Sequence, residues 1–329
     1  MFLELVRRVG EHNPELARAA LDGLAAYGRA ERAPQFAPRP TVMRAGPATL
    51  SDYGGDGPPA ILVPSLINPP HVLDLGAEVS LAKAVRGMGR RPLLLDWGSA
   101  RERSNLNVSQ HVAKLLAPMI EGLGEPPALV GYCLGGTMAM AAASLVAVER
   151  VATLAAPWHF GRYPDPARVA LQSLWKQTEA PSRAFDAMPM ELLQAAFWSI
   201  DPERTVAKFA RFAGLEPGSD AAKRFVALED WANEGEPLPR PAARELIEVF
   251  FGADAPGSGA WTIGGTSIAE APPVPTLHFT AGKDRIAPAT TAAAGKAIEI
   301  AAGHVGMVVG SARSQLHAGL ARFLDPACR

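Results

Sequence analysis

The stretch Ala128-Leu129-Val130-Gly131-Tyr132-Cys133-Leu134-Gly135-Gly136-Thr137-Met138-Ala139-Met140 leaves this chain few folds to choose from. A short apolar run reaches Gly131, Cys133 follows one residue later, and small residues at helical spacing begin at Gly135. Strand, tight turn and helix in that order are the setting of a Gly-x-nucleophile-x-Gly elbow. A nucleophile at such a turn sits in a strained backbone conformation, so the residues two places either side must lack bulk. Its side chain stands at a helix N-terminus, where unpaired N–H groups and the helix dipole favour a thiolate and a developing oxyanion. The plainer alternative, an ordinary buried cysteine, is weakened by the strand–turn–helix context.

The flanking sequence supplies the rest of such a sheet. Thr41–Arg44 and Ala48–Leu50 read as edge strands and Ala60–Pro64 as a buried one. Helix 77–87, strand Pro92–Asp96, helix 108–121, strand 128–132, helix 136–146 and strand Val151–Ala155 follow. Short apolar strands between amphipathic helices predict βαβ units and a mostly parallel sheet. After Ala156 the alternation stops. Residues 157–270 carry five tryptophans and helical patches near 168–178, 188–199, 203–212, 221–232 and 241–251, and read as a helical cap inserted into the core. The sheet resumes at Val274–Phe279, with a last strand at Ala297–Ile300 and a closing helix at 311–324. Residues 2–30 have apolar side chains at helical spacing, and prolines at 34, 38 and 40 make a linker, so residues 1–40 form an arm expected to pack on the core. The expected division is therefore arm 1–40, core 41–156, cap 157–270 and core 271–329.

Composition excludes several functions. A net charge of −1 argues against a nucleic-acid partner or a polybasic membrane surface. No apolar run is long enough to span a bilayer, and charges interrupt the N-terminal run, so a cytoplasmic protein is expected. The two cysteines, Cys133 and Cys328, make a disulfide framework improbable. There is no metal-ligand spacing and no Gly-rich dinucleotide or Walker loop, so no metal or cofactor is expected.

A cysteine nucleophile needs a base and a group that orients it. Asp284 lies in Thr280-Ala281-Gly282-Lys283-Asp284, just past strand 274–279, and His304 lies in Gly303-His304-Val305-Gly306, just past the next strand. Successive parallel strands deliver such loops to one edge of the sheet. Cys133, Asp284 and His304 follow the chain order nucleophile, acid, histidine of an α/β-hydrolase fold. His278 and His317 fall inside elements and read as structural. His12 and His111 lie on expected helices, and His159 follows a strand end. His71, on the loop after strand 60–64, is a candidate pocket-lining residue.

Gly131-Tyr132-Cys133-Leu134-Gly135-Gly136, with Val63-Pro64-Ser65-Leu66-Ile67-Asn68, Leu95-Asp96-Trp97-Gly98, Gly282-Lys283-Asp284 and Gly303-His304-Val305-Gly306, resembles the polyhydroxyalkanoate (poly-3-hydroxybutyrate) synthases. A weaker likeness at Leu228-Glu229-Asp230-Trp231 extends it over roughly residues 41–325. The resemblance implies an acyltransferase that polymerises 3-hydroxyacyl groups from coenzyme A thioesters, with coenzyme A as part of the substrate and no separate cofactor. Carried over, Cys133 is the acylated nucleophile, His304 the base and Asp284 the acid. The backbone N–H groups of Leu134 and Ile67 are the oxyanion donors, and Asn68 and Trp97 join His71 as candidate pocket residues. The length is similar to that of the shorter synthases, which implies a second subunit or a homodimer, working at a polymer granule surface. Pro69-Pro70-His71, His159 and the short stretch from Asp284 to His304 depart from the family pattern. The rival enzyme reading is a depolymerase or acyl-CoA thioesterase with the same triad. The non-enzyme rival is a granule- or subunit-binding relative.

Overall fold

The computed structural model describes residues 2–32, 39–76, 78–325 and 327; Pro34, Pro38, Ala77 and Cys328 lie outside them. The chain divides into two compact units, one holding residues 39–189 and 236–329, the other 1–38 and 190–235.

The larger unit is organised by a sheet of eight strands: β1 Thr41–Ala45, β2 Ala48–Asp52, β3 Pro59–Val63, β4 Arg91–Asp96, β5 Ala128–Tyr132, β6 Arg150–Leu154, β7 Thr276–Ala281 and β8 Ala297–Ile300. Their spatial order is β1-β2-β4-β3-β5-β6-β7-β8. From β4 through β8 every pairing is parallel, and β1 and β2 join antiparallel at one side. Every residue of β3, β5 and β6 is buried. Runs such as Ala-Ile-Leu-Val suit strands covered on both faces. Of the two strands expected at an edge, β1 lies at one, and β2 lies between β1 and β4, with Ala48 and Leu50 fully buried.

Register aligns the strand ends that matter. Val63 pairs with Gly131, Tyr132 with Leu154, Phe279 with Leu154, and Ala281 with Ile300. The loops after β3, β5, β7 and β8, which carry Ile67, Cys133, Asp284 and His304, therefore leave the sheet along one edge. This is the doubly wound arrangement in which ligands bind beyond the carboxyl ends of the strands.

Several helices differ from expectation in ways their residues explain. The helix after β3 starts at Leu81, where the Ser80 hydroxyl accepts from the Lys83 N–H at 3.0 Å. The run 108–122 has a π-helical stretch at Val112–Leu116. The elbow helix begins at Leu134, directly after Cys133, and ends at Ala143.

The smaller unit contains the N-terminal helices Phe2–Gly10 and Pro14–Arg29 with Met190–Ile200, Pro202–Ala213 and Asp220–Asn233. The single helix expected over 2–30 is two. The Asn13 side chain accepts from the Leu16 N–H at 3.0 Å, and Pro14 occupies the first helical turn, where its missing N–H costs nothing. Within this unit Leu5, Val6, Val9 and Ala20 cluster with Val206 and Phe209 of Pro202–Ala213. Each fully buried side chain of that size contributes roughly 1.5–3 kcal/mol. Gly23 permits the close crossing, since a Cβ there would lie 2.6 Å from the Phe209 carbonyl carbon. Beside this cluster, Arg32 reaches both oxygens of Asp230 at 3.1 Å, and the Tyr27 hydroxyl donates to the same carboxylate. Residues 157–270 thus do not form one body: 157–189 and 236–270 group with the sheet, and 190–235 with the N-terminal helices.

Candidate active site

Cys133 sits at the end of β5 with φ 55° and ψ −133°, a conformation that side chains other than glycine rarely adopt. Its N–H donates to the Leu154 carbonyl at 2.9 Å, and its own carbonyl accepts from the Gly136 N–H at 2.9 Å. The flanking glycines are there for contact. A Cβ on Gly131 would lie 2.6 Å from the Gly135 carbonyl oxygen, and one on Gly135 would lie 2.5 Å from that of Pro64. No side chain fits, and the second contact presses the elbow against the loop after β3. The thiol is half-buried at the N-terminus of Leu134–Ala143, whose first N–H groups have no intrahelical acceptors.

The acid and the histidine are held as a pair by backbone. The Gly282 N–H donates to the Ile300 carbonyl and the Lys283 N–H to that of Ala302, both at 2.9 Å, tying the loop after β7 to the loop after β8. His304 Nδ1 then meets Asp284 Oδ2 at 2.6 Å. The other carboxylate oxygen accepts from the Ile286 N–H at 2.7 Å and the Ala287 N–H at 2.9 Å. Cys133 is the other charged group that acts on His304. Burial works against the imidazolium, but the Cys133 thiolate and the Asp284 carboxylate overcome it and push the His304 pKa up to about 10.

Two tyrosines outside the expected set complete the surroundings. The Tyr132 ring lies 5.1 Å from that of His304, and the Tyr163 hydroxyl donates to the Ile286 carbonyl at 2.9 Å, bracing the acid loop. Burial, reinforced by the negative charges of Cys133 and Asp284, pushes both phenols up, so both stay neutral donors. Tyr132 lies inside the elbow motif, next to Cys133, whereas nothing in the sequence around Tyr163 marks it.

The remaining expected residues fall as follows. Ile67 lies on the loop after β3 with its N–H 3.4 Å from Ser65 Oγ, and the Leu134 N–H opens the elbow helix. Asn68 and His71 are half-buried on the same loop as Ile67; the short turn Pro70–Leu73 holding His71 packs against Gly306–Val309, just after His304. Trp97 is buried, and its indole N–H donates to the Pro64 carbonyl at 3.1 Å, which makes it a support of that loop. His159 finds an acidic partner, Glu270, at 2.7 Å. His278 is buried against Thr153 at 2.8 Å, as a structural histidine should be.

Fold and site together define the class of this protein: an α/β-hydrolase fold with a cysteine at the elbow and a histidine and an aspartate at the following strand ends. Among solved structures, a monoacylglycerol lipase from Paleococcus ferrophilus superposes with a TM-score of 0.52 at 17% identity, over 84% of this chain and 98% of that one. A meta-cleavage product hydrolase from Pseudomonas fluorescens IP01 superposes with a TM-score of 0.51 at 15% identity, over 87% and 98%. At that identity they show the fold alone.

Sequence likeness points to a particular group within the class. The chain is 24% identical over 272 residues to the poly(3-hydroxyalkanoate) polymerase subunit PhaC of Haloferax mediterranei, covering 77% of this chain and 55% of that protein. It is 26% identical over 205 residues to the subunit of the same name from Haloarcula marismortui, covering 59% and 42%. The chain thus resembles the polyhydroxyalkanoate synthases and spans about half the length of these relatives. No protein-family model matches it.

Proposed function

We propose that this protein is an acyltransferase of the polyhydroxyalkanoate synthase type. It would build polyester from 3-hydroxyacyl-CoA through an acyl group held on Cys133. The observation that carries the reading is the relay from Asp284 through His304 to a cysteine on a strained elbow. The names of the two polymerase subunits support it.

In the first half-reaction the Cys133 thiolate attacks the thioester carbonyl. The tetrahedral oxyanion is met by the Leu134 and Ile67 N–H groups. The bond to the coenzyme A sulfur breaks, and the leaving thiolate takes its proton from the His304 imidazolium. The raised His304 pKa suits this step, because the proton donor is already charged. Acylation then removes the thiolate charge that helped hold His304 protonated, so the imidazole becomes a base. In the second half-reaction it takes the proton from the 3-hydroxyl of an incoming unit, whose oxygen attacks the acyl-cysteine. The oxoester forms, the Cys133 thiolate leaves, and exchange of a thioester for an oxoester drives the step. Asp284 holds Nδ1–H throughout, so that Nε2 faces the reacting atoms. Asn68 and His71 would line the pocket. A second subunit or a second copy of the chain would complete the enzyme at a polymer granule surface.

The test is coenzyme A release from 3-hydroxybutyryl-CoA with product sizing, alone and with a candidate second subunit. Oligomer or polymer is expected. Free 3-hydroxybutyrate as the sole product would make the protein a hydrolase of the same triad. Coenzyme A release under neither condition would leave a binding protein.

A further inference from the structure

Arg103 follows β4 in a run, Arg101-Glu102-Arg103-Ser104-Asn105, that reads as solvated surface. It is instead 2% exposed, and among the described residues no carboxylate lies within ion-pair distance of it. A buried cation without such a partner is costly and is retained where its donors have work to do.

Each of its three guanidinium nitrogens has a partner. Nε donates to the Gly98 carbonyl at 3.2 Å and Nη2 to the Leu66 carbonyl at 3.4 Å. Nη1 lies 3.3 Å from His111 Nε2. His111 Nδ1 donates to the Asn107 carbonyl at 2.7 Å, so Nε2 carries the lone pair that Arg103 needs. Burial, assisted by the arginine charge and only partly opposed by the Asn107 bond, lowers the His111 pKa to about 4, which keeps that ring neutral. The same ring stands edge-on to Trp97, which holds the Pro64 carbonyl. One residue on, the Ile67 carbonyl accepts from the Glu236 N–H at 3.2 Å, and the Glu236 carboxylate accepts from the Ala100 N–H at 2.7 Å.

The carbonyls of Pro64, Leu66 and Ile67 are thus each held by a donor. In a trans peptide the carbonyl of one residue and the N–H of the next point in opposite directions. A donor gripping the Leu66 carbonyl therefore sets where the Ile67 N–H points and polarises it. We propose that Arg103 is the positioning residue of the oxyanion site: it fixes the Leu66–Ile67 peptide, whose N–H rests on Ser65 Oγ at 3.4 Å, a contact long enough to be exchanged for the oxygen that becomes charged when Cys133 is acylated. The proposal rests on the acyl-transfer reading above.

The test compares two reactions of Cys133 in a Cys328→Ala background. Alkylation by iodoacetamide consumes the thiolate but develops no oxyanion, and its rate reports the reactivity of the Cys133 thiol itself. Acylation by 3-hydroxybutyryl-CoA, followed in a single turnover by mass spectrometry, passes through one. Loss of an oxyanion donor typically slows turnover about a hundred- to a thousand-fold, and a donor misaimed but present should cost roughly ten- to a hundred-fold. Arg103→Met is expected to lower the ratio of acylation to alkylation rates by that factor. Arg103→Lys should fall between, since an ammonium cannot serve Leu66, Gly98 and His111 in a planar fork. Rates that fall together, leaving the ratio unchanged, would reduce Arg103 to a packing residue and overturn the proposal. Should Arg103→Met fail to fold, a lysine variant with the wild-type ratio overturns it equally. A wild-type protein that alkylates but never acylates sinks the acyl-transfer reading itself, and this one with it.

Discussion

Replacing Asp284 by asparagine removes one charge and almost no volume, and the hydrogen bonds around it dictate how the amide must sit. Oδ1 accepts two backbone N–H groups, from Ile286 and Ala287, whereas Oδ2 faces only His304 Nδ1. An asparagine oxygen turned towards His304 would aim its NH2 at two N–H donors and leave all three unsatisfied in a buried site, at roughly 1–3 kcal/mol each. The amide will instead keep its oxygen on the backbone and offer NH2 to His304. Nδ1 must then accept, which puts the proton on Nε2 and leaves no lone pair facing Cys133 or the incoming hydroxyl. The charge-assisted bond at 2.6 Å, worth about 1.5–3 kcal/mol, is lost as well. Wrong tautomer and lost charge together should lower turnover by about a thousand- to ten thousand-fold, or some 4–5.5 kcal/mol of barrier. The two half-reactions should not suffer equally. A thiol ionises far more readily than an alcohol, so acylation should survive better than transfer to the hydroxyl. Mass spectrometry after brief exposure of Asp284→Asn to 3-hydroxybutyryl-CoA should therefore show a hydroxyacyl adduct accumulating on Cys133. An unmodified cysteine, under conditions where the wild type turns over, would refute this division of labour. An adduct that decays to free acid at the wild-type rate would show water to be the natural acceptor.

Cys133→Ala should abolish acyl transfer without changing the melting temperature by more than a few degrees, and retention of a tenth of wild-type turnover would remove Cys133 as nucleophile; Cys328→Ala should alter neither. Gly135→Ala places a Cβ 2.5 Å from the Pro64 carbonyl oxygen, so the elbow and the loop after β3 must part: a stability loss of about 3 kcal/mol or more is expected by chemical denaturation, and a near-neutral change would contradict the packing. His304 should titrate near pH 10 by NMR, so its contribution to stability is complete below about 6.5 and fades as pH rises towards 10. Carbamidomethylation of Cys133 removes the thiolate and should move that titration downward; an unchanged midpoint would mean the thiolate has no part in the shift.

The elbow was legible in the sequence because its demands are local: a strand that ends at a glycine, a nucleophile, and glycines opening a helix can be read within ten residues. Asp284 and His304 were legible because parallel strands send their ends to one edge, so position after a strand stands in for distance. What depends on long-range pairing was not. Nothing in Ala48–Asp52 tells that it pairs with β4 and so lies inside the sheet. The break at Asn13–Pro14 was written in the local chemistry but masked by unbroken apolar periodicity on either side. The division of 157–270 depends on which apolar face meets which: Val206 and Phe209 are like any other helical pair until the N-terminal helices are laid against them. Arg103 was hidden most completely, since a charged side chain in a polar run looks like surface until its carbonyl acceptors are seen.

The carboxylate of Asp230, shared by Tyr27 and Arg32, has a consequence for synthesis of the chain. Tyr27 and Asp230 are 203 residues apart, and the two stretches that meet there are separated by the first six strands of the sheet. At roughly 5–20 residues per second, translation delivers the second stretch about 10–40 seconds after the first. Through that interval Leu5, Val6, Val9 and Ala20 have been made but Val206 and Phe209 have not, so the nascent helices carry an apolar stripe whose cover is incomplete. The stripe is a natural place for a chaperone to hold the chain during synthesis, and a slow stretch of codons before residue 190 would lengthen that wait without changing the finished molecule.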